Sequence, residues 1–238
     1  MKLNLNINAD VGEGIGNEYL LMPYLNSCNV ACGGHAGSEE EMDRVVRLAK
    51  SNGVSIGAHP SYPDPENFGR VSMDISSADL FTSLVKQVRS LVKIVRSHSL
   101  NLHHIKPHGA LYNDAVKDEG VAQVIIEVVK GFSAPISLYV PYGSLIADMA
   151  QSANIKVCYE AFADRTYQND LSLTSRTQKG SVITDPNLVW DQLCQMAING
   201  KVITAEGEER PIEVDTFCIH GDTPNAVEIL KFIREKSS

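Results

Sequence analysis

The sequence lacks any long apolar run and any block of like charge, and each absence narrows the field. No stretch approaches the roughly 20 consecutive apolar residues of a membrane span. In 238 residues there are 21 Lys and Arg against 29 Asp and Glu, a formal net charge of −8. With no Lys/Arg run either, binding to nucleic acid or to an anionic membrane through a basic face is excluded. The segment Met1–Asn8 alternates polar and apolar residues and lacks the apolar stretch of a signal peptide, so a cytoplasmic location is expected. The five cysteines (Cys28, Cys32, Cys158, Cys194 and Cys218) are odd in number and scattered, which argues for reduced thiols rather than a disulfide framework. Only Cys28 and Cys32 are close, and without a second pair they do not make a zinc ribbon.

Motifs of several large enzyme classes are also missing. The chain holds no Gly-x-x-x-x-Gly-Lys-Ser/Thr phosphate loop, no Gly-x-Ser-x-Gly elbow and no His-Glu-x-x-His helix. The glycine-rich turn Asp10–Gly16 has the wrong spacing for a dinucleotide fingerprint. Any nucleotide use therefore requires a different binding mode or another subunit. No tightly bound metal is expected from spacing alone.

What is present is an ordinary soluble composition, 43% hydrophobic, enough for one domain over residues 1–238. Strands are expected at Lys2–Asn8, Ser27–Cys32, Val54–Ala58, from Leu102 to the break at Pro107, Ile136–Val140, Lys156–Phe162 and Thr216–His220. Helices are expected from Ser38, with Ser38 and Glu41 as a capping box and Gly53 as the stop, and over Ser76–Ser97. Further helices are expected around Val121–Val129, and over Leu145–Ala153, Pro186–Asn199 and Pro224–Glu235. Ser61–Met73 is a long loop, and Lys201–Ile212 a small hairpin or loop. Strand and helix alternate, which implies parallel strands joined by helical crossovers. About seven units fit, suiting a barrel or a doubly wound sheet.

In such folds ligands bind at the carboxyl ends of the strands. Those ends carry Asn8 and Asp10, then His35, His59, Lys106 and His108, then Asp164 and Arg165, then His220 and Asp222. One strand-end histidine is commonplace, but five strands ending in proton-handling groups point to a shared active site. Lys106 and His108 are expected at its rim, with Gly109 leaving room for a ligand. Asp10 and Glu13 suit a base and its partner acid, although Asp10 capping the turn amides explains the same residues equally well. Asp with two or three His also suits a divalent metal. His98, in a helix tail, is expected to be solvated, and His103 and His104 to face opposite sides of their strand.

Longer motifs point further. Asn8-Ala-Asp10-x-Gly-Glu13, Asn29-Val-Ala-Cys32-Gly-x-His35-Ala-Gly37, Ile56-Gly-Ala-His59-Pro60 and Phe68-Gly69-Arg70 resemble markers of the LamB/YcsF family. So do Lys106-Pro-His108-Gly-Ala-Leu-Tyr-Asn113, Phe162-Ala-Asp164-Arg165-x-Tyr167, Ser175-Arg176 and Cys218-x-His220-Gly-Asp222. The resemblance covers nearly the whole chain, in order. It implies an α/β fold, a seven-stranded β/α barrel similar to the glycoside hydrolase/deacetylase barrels. It implies cleavage of the lactam of 5-oxo-L-proline to L-glutamate, coupled to ATP hydrolysis with Mg2+, together with 5-oxoprolinase subunits B and C. One position departs: where the family has Asp-Leu-Asn-Ala-Asp, this chain has Asn6-Ile7, one acid fewer for any metal site.

On that footing Asp10 is expected to act as general base, with Glu13 beside it and His108 as acid to the leaving nitrogen. Lys106 and Arg165 are expected to neutralise the substrate carboxylate or a phosphorylated intermediate. Asn8, His35, His59, Asp164, Arg176, His220 and Asp222 would line the pocket, and Arg70 would close over it from its loop. The alternatives are a metal-dependent amide or N-acetyl hydrolase without ATP, or a non-catalytic lactam- or sugar-binding subunit.

Overall fold

Alternation along the strands sets the layers of this fold. In β1 (Ile7–Val11), Ile7, Ala9 and Val11 join the hydrophobic core, whereas Asn8 and Asp10 bond to other strands across a lumen. The coordinates, a computed structural model, describe residues 3–237. Six further parallel strands complete a closed barrel: β2 (Ser27–Ala31), β3 (Ser55–His59), β4 (His104–Ile105), β5 (Ser137–Pro141), β6 (Val157–Phe162) and, after a separate antiparallel hairpin of β7 (Lys201–Ile203) and β8 (Glu209–Pro211), β9 (Thr216–Cys218). The ring closes where Ile7 pairs with Phe217 and Glu160 with Thr216. Among the described residues no helix is long and apolar enough to cross a membrane.

Helices cover the outer face, beginning with the single turn α1 (Glu18–Leu21) after β1. α2 (Glu39–Asn52) starts on the Ser38 side chain, which accepts from the Glu41 amide, and stops at Gly53 with φ 68°. Only half of the expected capping box forms, because the Glu41 carboxylate is taken by Arg44 at 2.6 Å. α3 (Ser77–Ser97) buries Leu80, Leu84, Val88, Leu91 and Val95 on one face, as its 3.6-residue pattern dictates. α4 (Gly109–Ala115), α5 (Glu119–Lys130), α6 (Leu145–Ser152), α7 (Pro186–Asn199) and α8 (Ala226–Ser237) follow.

Several expectations are corrected. The first strand runs from Ile7 to Val11, not over Lys2–Asn8, and Lys2 lies outside the described residues. Asp10 is thus a strand residue inside the barrel and caps no turn; Glu18 takes the Gly12 amide instead. β4 is only two residues long, and α4, a helix unmarked in the sequence, comes soon after it to bury Ala110, Leu111 and Tyr112. A Cβ on Gly109, where φ is 55°, would lie 2.5 Å from the Gly69 carbonyl oxygen, so this glycine makes room for the Ser61–Met73 loop rather than for a ligand. His98 is not simply solvated, since its Nε2 lies 2.6 Å from Asp43. His104 is buried while His103 is exposed, as alternation requires.

Candidate active site

The barrel lumen is polar, so its groups must satisfy one another. His104 Nε2 donates to Asn29 Oδ1 at 2.6 Å. The Asn29 amide then donates to Asn8 Oδ1 and to Asp10 Oδ1, each at 2.8 Å. Asn8 passes the chain on to Thr216 at 3.0 Å. These bonds fix both amide orientations and hold Asp10 Oδ1 against Asn29. Gly57 permits the arrangement, because a Cβ there would sit 2.1 Å from the His104 ring.

Above this layer Lys106 forms the floor of the site. Its Nζ lies 2.9 Å from Asp10 Oδ1, 3.0 Å from Glu160 Oε1 and 3.2 Å from Cys218 Sγ. The Glu160 contact is an ion pair without hydrogen-bond alignment, and Tyr112 donates to the other Glu160 oxygen at 3.0 Å. Lys106 is 2% exposed, so it lies inside the barrel and not on the rim expected for it. Burial alone would raise the Asp10 pKa, but the neighbouring His59 and Lys106 outweigh it and hold the carboxyl well below the usual range. Burial likewise opposes charge on Lys106, and Asp10, Cys218 and Glu160 overcome it, raising the pKa. The floor is therefore a locked ion cluster at neutral pH.

The mouth is built from histidines. His35 and His108 stack at 3.7 Å between centroids, and His59 meets His108 edge-on at 4.8 Å. Glu13 Oε1 is 3.0 Å from His35 Nε2 and 3.4 Å from His108 Nδ1. Burial, then the neighbouring His59 and His35, drive the His108 pKa far down, so its imidazole is neutral. The Ser61–Met73 loop folds over this group: Phe68 sets its ring against His35 and His108, and its carbonyl accepts from His108 Nε2 at 2.9 Å. Phe68 has φ 55°, a strained conformation for a bulky side chain of the kind that gathers at functional sites.

A third wall comes from the loops after β6 and β9. Asp164, fully buried, accepts from the His220 amide at 3.0 Å and from Thr223, and lies 3.1 Å from His220 Nδ1. Burial works against its charge, but His220 and Thr223 hold its pKa down. His220 thus has one ring nitrogen fixed by a carboxylate, which leaves Nε2 for other work. Arg165 donates to the carbonyls of Thr174 and Ser181, tying down the 166–183 loop, so its guanidinium positions a wall of the site. Arg70 and Arg176 converge on one Asp222 oxygen, at 3.0 and 2.9 Å, and bridge the loops at the mouth.

The structure therefore brings Asn8, Asp10, Glu13, His35, His59, Lys106, His108, Asp164 and His220 into one region, with Arg70, Arg176 and Asp222 around it. Glu160, Tyr112, Asn29 and His104 were absent from the sequence-derived site. A charged residue inside the otherwise apolar stretch Val157–Phe162 was the one available signal for Glu160. The missing acid at position 6 lies below β1, roughly 13 Å of strand from Asp10, so its loss does not touch the mouth.

The LamB/YcsF family model matches residues 5–238. The chain is 40% identical to the 5-oxoprolinase A subunit of Pyrococcus horikoshii, over 98% of this chain and 93% of that protein. It is 38% identical to the 5-oxoprolinase A subunit of Staphylococcus haemolyticus, over 98% and 96%. Among solved structures, the lactam utilization protein of Thermus thermophilus superposes with a TM-score of 0.91 at 37% identity, covering 98% of this chain and 95% of that one. With a full-length family match, relatives close to 40% identical and a shared barrel, the chain belongs to the LamB/YcsF family.

Proposed function

We propose that this chain carries the lactam-opening site of an ATP-dependent 5-oxoprolinase, working with subunits B and C to convert 5-oxo-L-proline to L-glutamate in the cytoplasm. The observation that carries the reading is the buried Asp10–Lys106–Glu160 cluster set beside an Asp164-backed His220, in a chain so similar to proteins named as the A subunit of 5-oxoprolinase.

An unstrained lactam resists water, and its opening needs a better electrophile. Transfer of a phosphoryl group from ATP to the lactam oxygen supplies one and releases ADP. Water then adds to the activated carbon, the carbon–nitrogen bond breaks with a proton delivered to nitrogen, and an acyl phosphate remains. A second water converts that to the carboxylate and inorganic phosphate. This chain has no phosphate loop, so ATP with its Mg2+ is bound together with the partner subunits.

Asn29, Lys106 and His59 all approach Asp10 through Oδ1, which leaves Oδ2 to orient the water and take its proton. We assign proton delivery to His220 in place of His108. His220 has its Nδ1 oriented by Asp164, as in other carboxylate–imidazole pairs, whereas His108 is buried and neutral and gives its one ring N–H to the Phe68 carbonyl. Lys106 offsets charge at the floor. Arg70 and Arg176 exchange Asp222 for the substrate carboxylate or phosphoryl group at the mouth.

The test is reconstitution with subunits B and C, measuring glutamate and ADP together. Equimolar products are expected, with no activity from the chain alone. Asp10→Asn and His220→Gln are each expected to reduce glutamate release by roughly 100-fold or more. Near wild-type turnover by folded Asp10→Asn would refute the assignment of the base.

A further inference from the structure

Donor counting at the mouth exposes an imbalance. His59 Nδ1 lies 2.8 Å from the Lys106 carbonyl, so that nitrogen carries the proton and donates. His108 Nε2 lies 2.9 Å from the Phe68 carbonyl and must donate as well. The two remaining nitrogens, His59 Nε2 and His108 Nδ1, are then both lone-pair bearers, yet they face each other at 3.0 Å. Glu13 Oε1, another acceptor, stands 3.4 Å from the second and 3.9 Å from the first. Three lone-pair donors converge with no hydrogen between them.

We propose that Glu13, His59 and His108 form a binding site for a divalent transition-metal cation of the zinc class. Three independent features support it. The ligand atoms lie within 4.8 Å of one another, and their separations of 3.0, 3.4 and 3.9 Å bracket the edge of about 3.3 Å expected for a tetrahedron with bonds near 2.0 Å. Each histidine gives its other ring N–H to a backbone carbonyl, the outer arrangement that orients metal-bound imidazole. The charge also fits: among the described residues, Asp10, Glu13 and Glu160 outnumber the one nearby ammonium, Lys106, by two. His35, 3.0 Å from the same Glu13 oxygen, steadies that ligand, and one coordination position is left for water or substrate. The ligands come from the turn after β1, the end of β3 and the segment after β4, which is why no sequence spacing announces them. The proposal does not depend on the 5-oxoprolinase reading.

The experiment uses the full chain, stripped with chelator and titrated with Zn2+ by calorimetry and with Co2+ by visible absorption. One equivalent per chain, tetrahedral Co2+ bands and a raised thermal midpoint are expected. His59→Gln and Glu13→Gln should weaken binding by more than the roughly 10–100-fold that loss of an outer partner costs, while His98→Gln leaves it unchanged. Failure of folded wild-type protein to take up either ion would overturn the site and leave a proton shared between His59 and His108. Unchanged affinity in both folded ligand variants would overturn it too. Neither result bears on glutamate release by the reconstituted complex, so the two readings fail separately.

Discussion

Replacing Lys106 with Met tests the floor of the site directly. The substitution keeps the length of the side chain and removes its charge. It leaves Asp10 and Glu160, both buried and now 2.9 and 3.0 Å from the lost nitrogen's position, without their shared cation. Removing one partner of a buried ion pair costs about 3–5 kcal/mol. A separate figure comes from the escape route, which is protonation of one carboxyl in the folded state. Starting from an unfolded pKa of about 3.9, that costs about 4 kcal/mol at pH 7. The two figures agree, so urea unfolding at pH 7 should show a loss of about 4 kcal/mol with an unchanged m-value. The pH dependence is a sharper signature. The folded variant holds a proton that the unfolded chain releases, so its stability falls as pH rises from about 5 to 7, by about 1.4 kcal/mol per unit. In the wild type Asp10 is held ionised and adds no such slope there. Adding Asp10→Asn and Glu160→Gln should recover much of the loss. A deficit below about 1 kcal/mol, or one that does not change with pH, would refute the ion-cluster argument.

Two further outcomes follow from the lumen. Gly57→Ala drives a Cβ to 2.1 Å from a His104 ring stacked on Tyr139 at 3.8 Å, so the ring cannot retreat; the thermal midpoint should drop by an amount equivalent to at least about 1–3 kcal/mol, and an unchanged midpoint would contradict the packing. Burial, then His103 and Lys106, push the His104 pKa well below 6.5, so the unfolded chain binds a proton that the fold refuses; stability should fall as pH drops below about 6.5, by up to about 1.4 kcal/mol per unit, and His104→Gln should remove that share of the slope in denaturant titrations at stepped pH.

Much of the architecture was legible because it follows local rules. Period-2 strands, the Ser38 cap, the Gly53 stop and the stripe of α3 each depend on neighbours within a few residues. The Lys201–Pro211 hairpin and Pro186–Asn199 helix also appear where expected. α4 escaped because it is seven residues long and opens on glycine after Pro107, which local rules read as a break. The first strand was placed too early because alternation continues from Leu3 to Val11, while only barrel closure decides which part pairs.

By itself the sequence determined the strand–helix order, the family motifs and the gathering of Asp10, His35, His59, His108, Asp164 and His220 at one end of a parallel sheet. A parallel crossover returns every strand in the same direction, so the carboxyl ends must meet. Only the tertiary structure decided what those groups do to one another. It put Lys106 between Asp10 and Glu160, gave Arg165 to backbone carbonyls, and set the two lone pairs of His59 and His108 face to face. Charge, protonation and ligand geometry depend on distances of about 3 Å between residues as far apart in sequence as Asn8 and Thr216, and no local pattern in a chain encodes those distances.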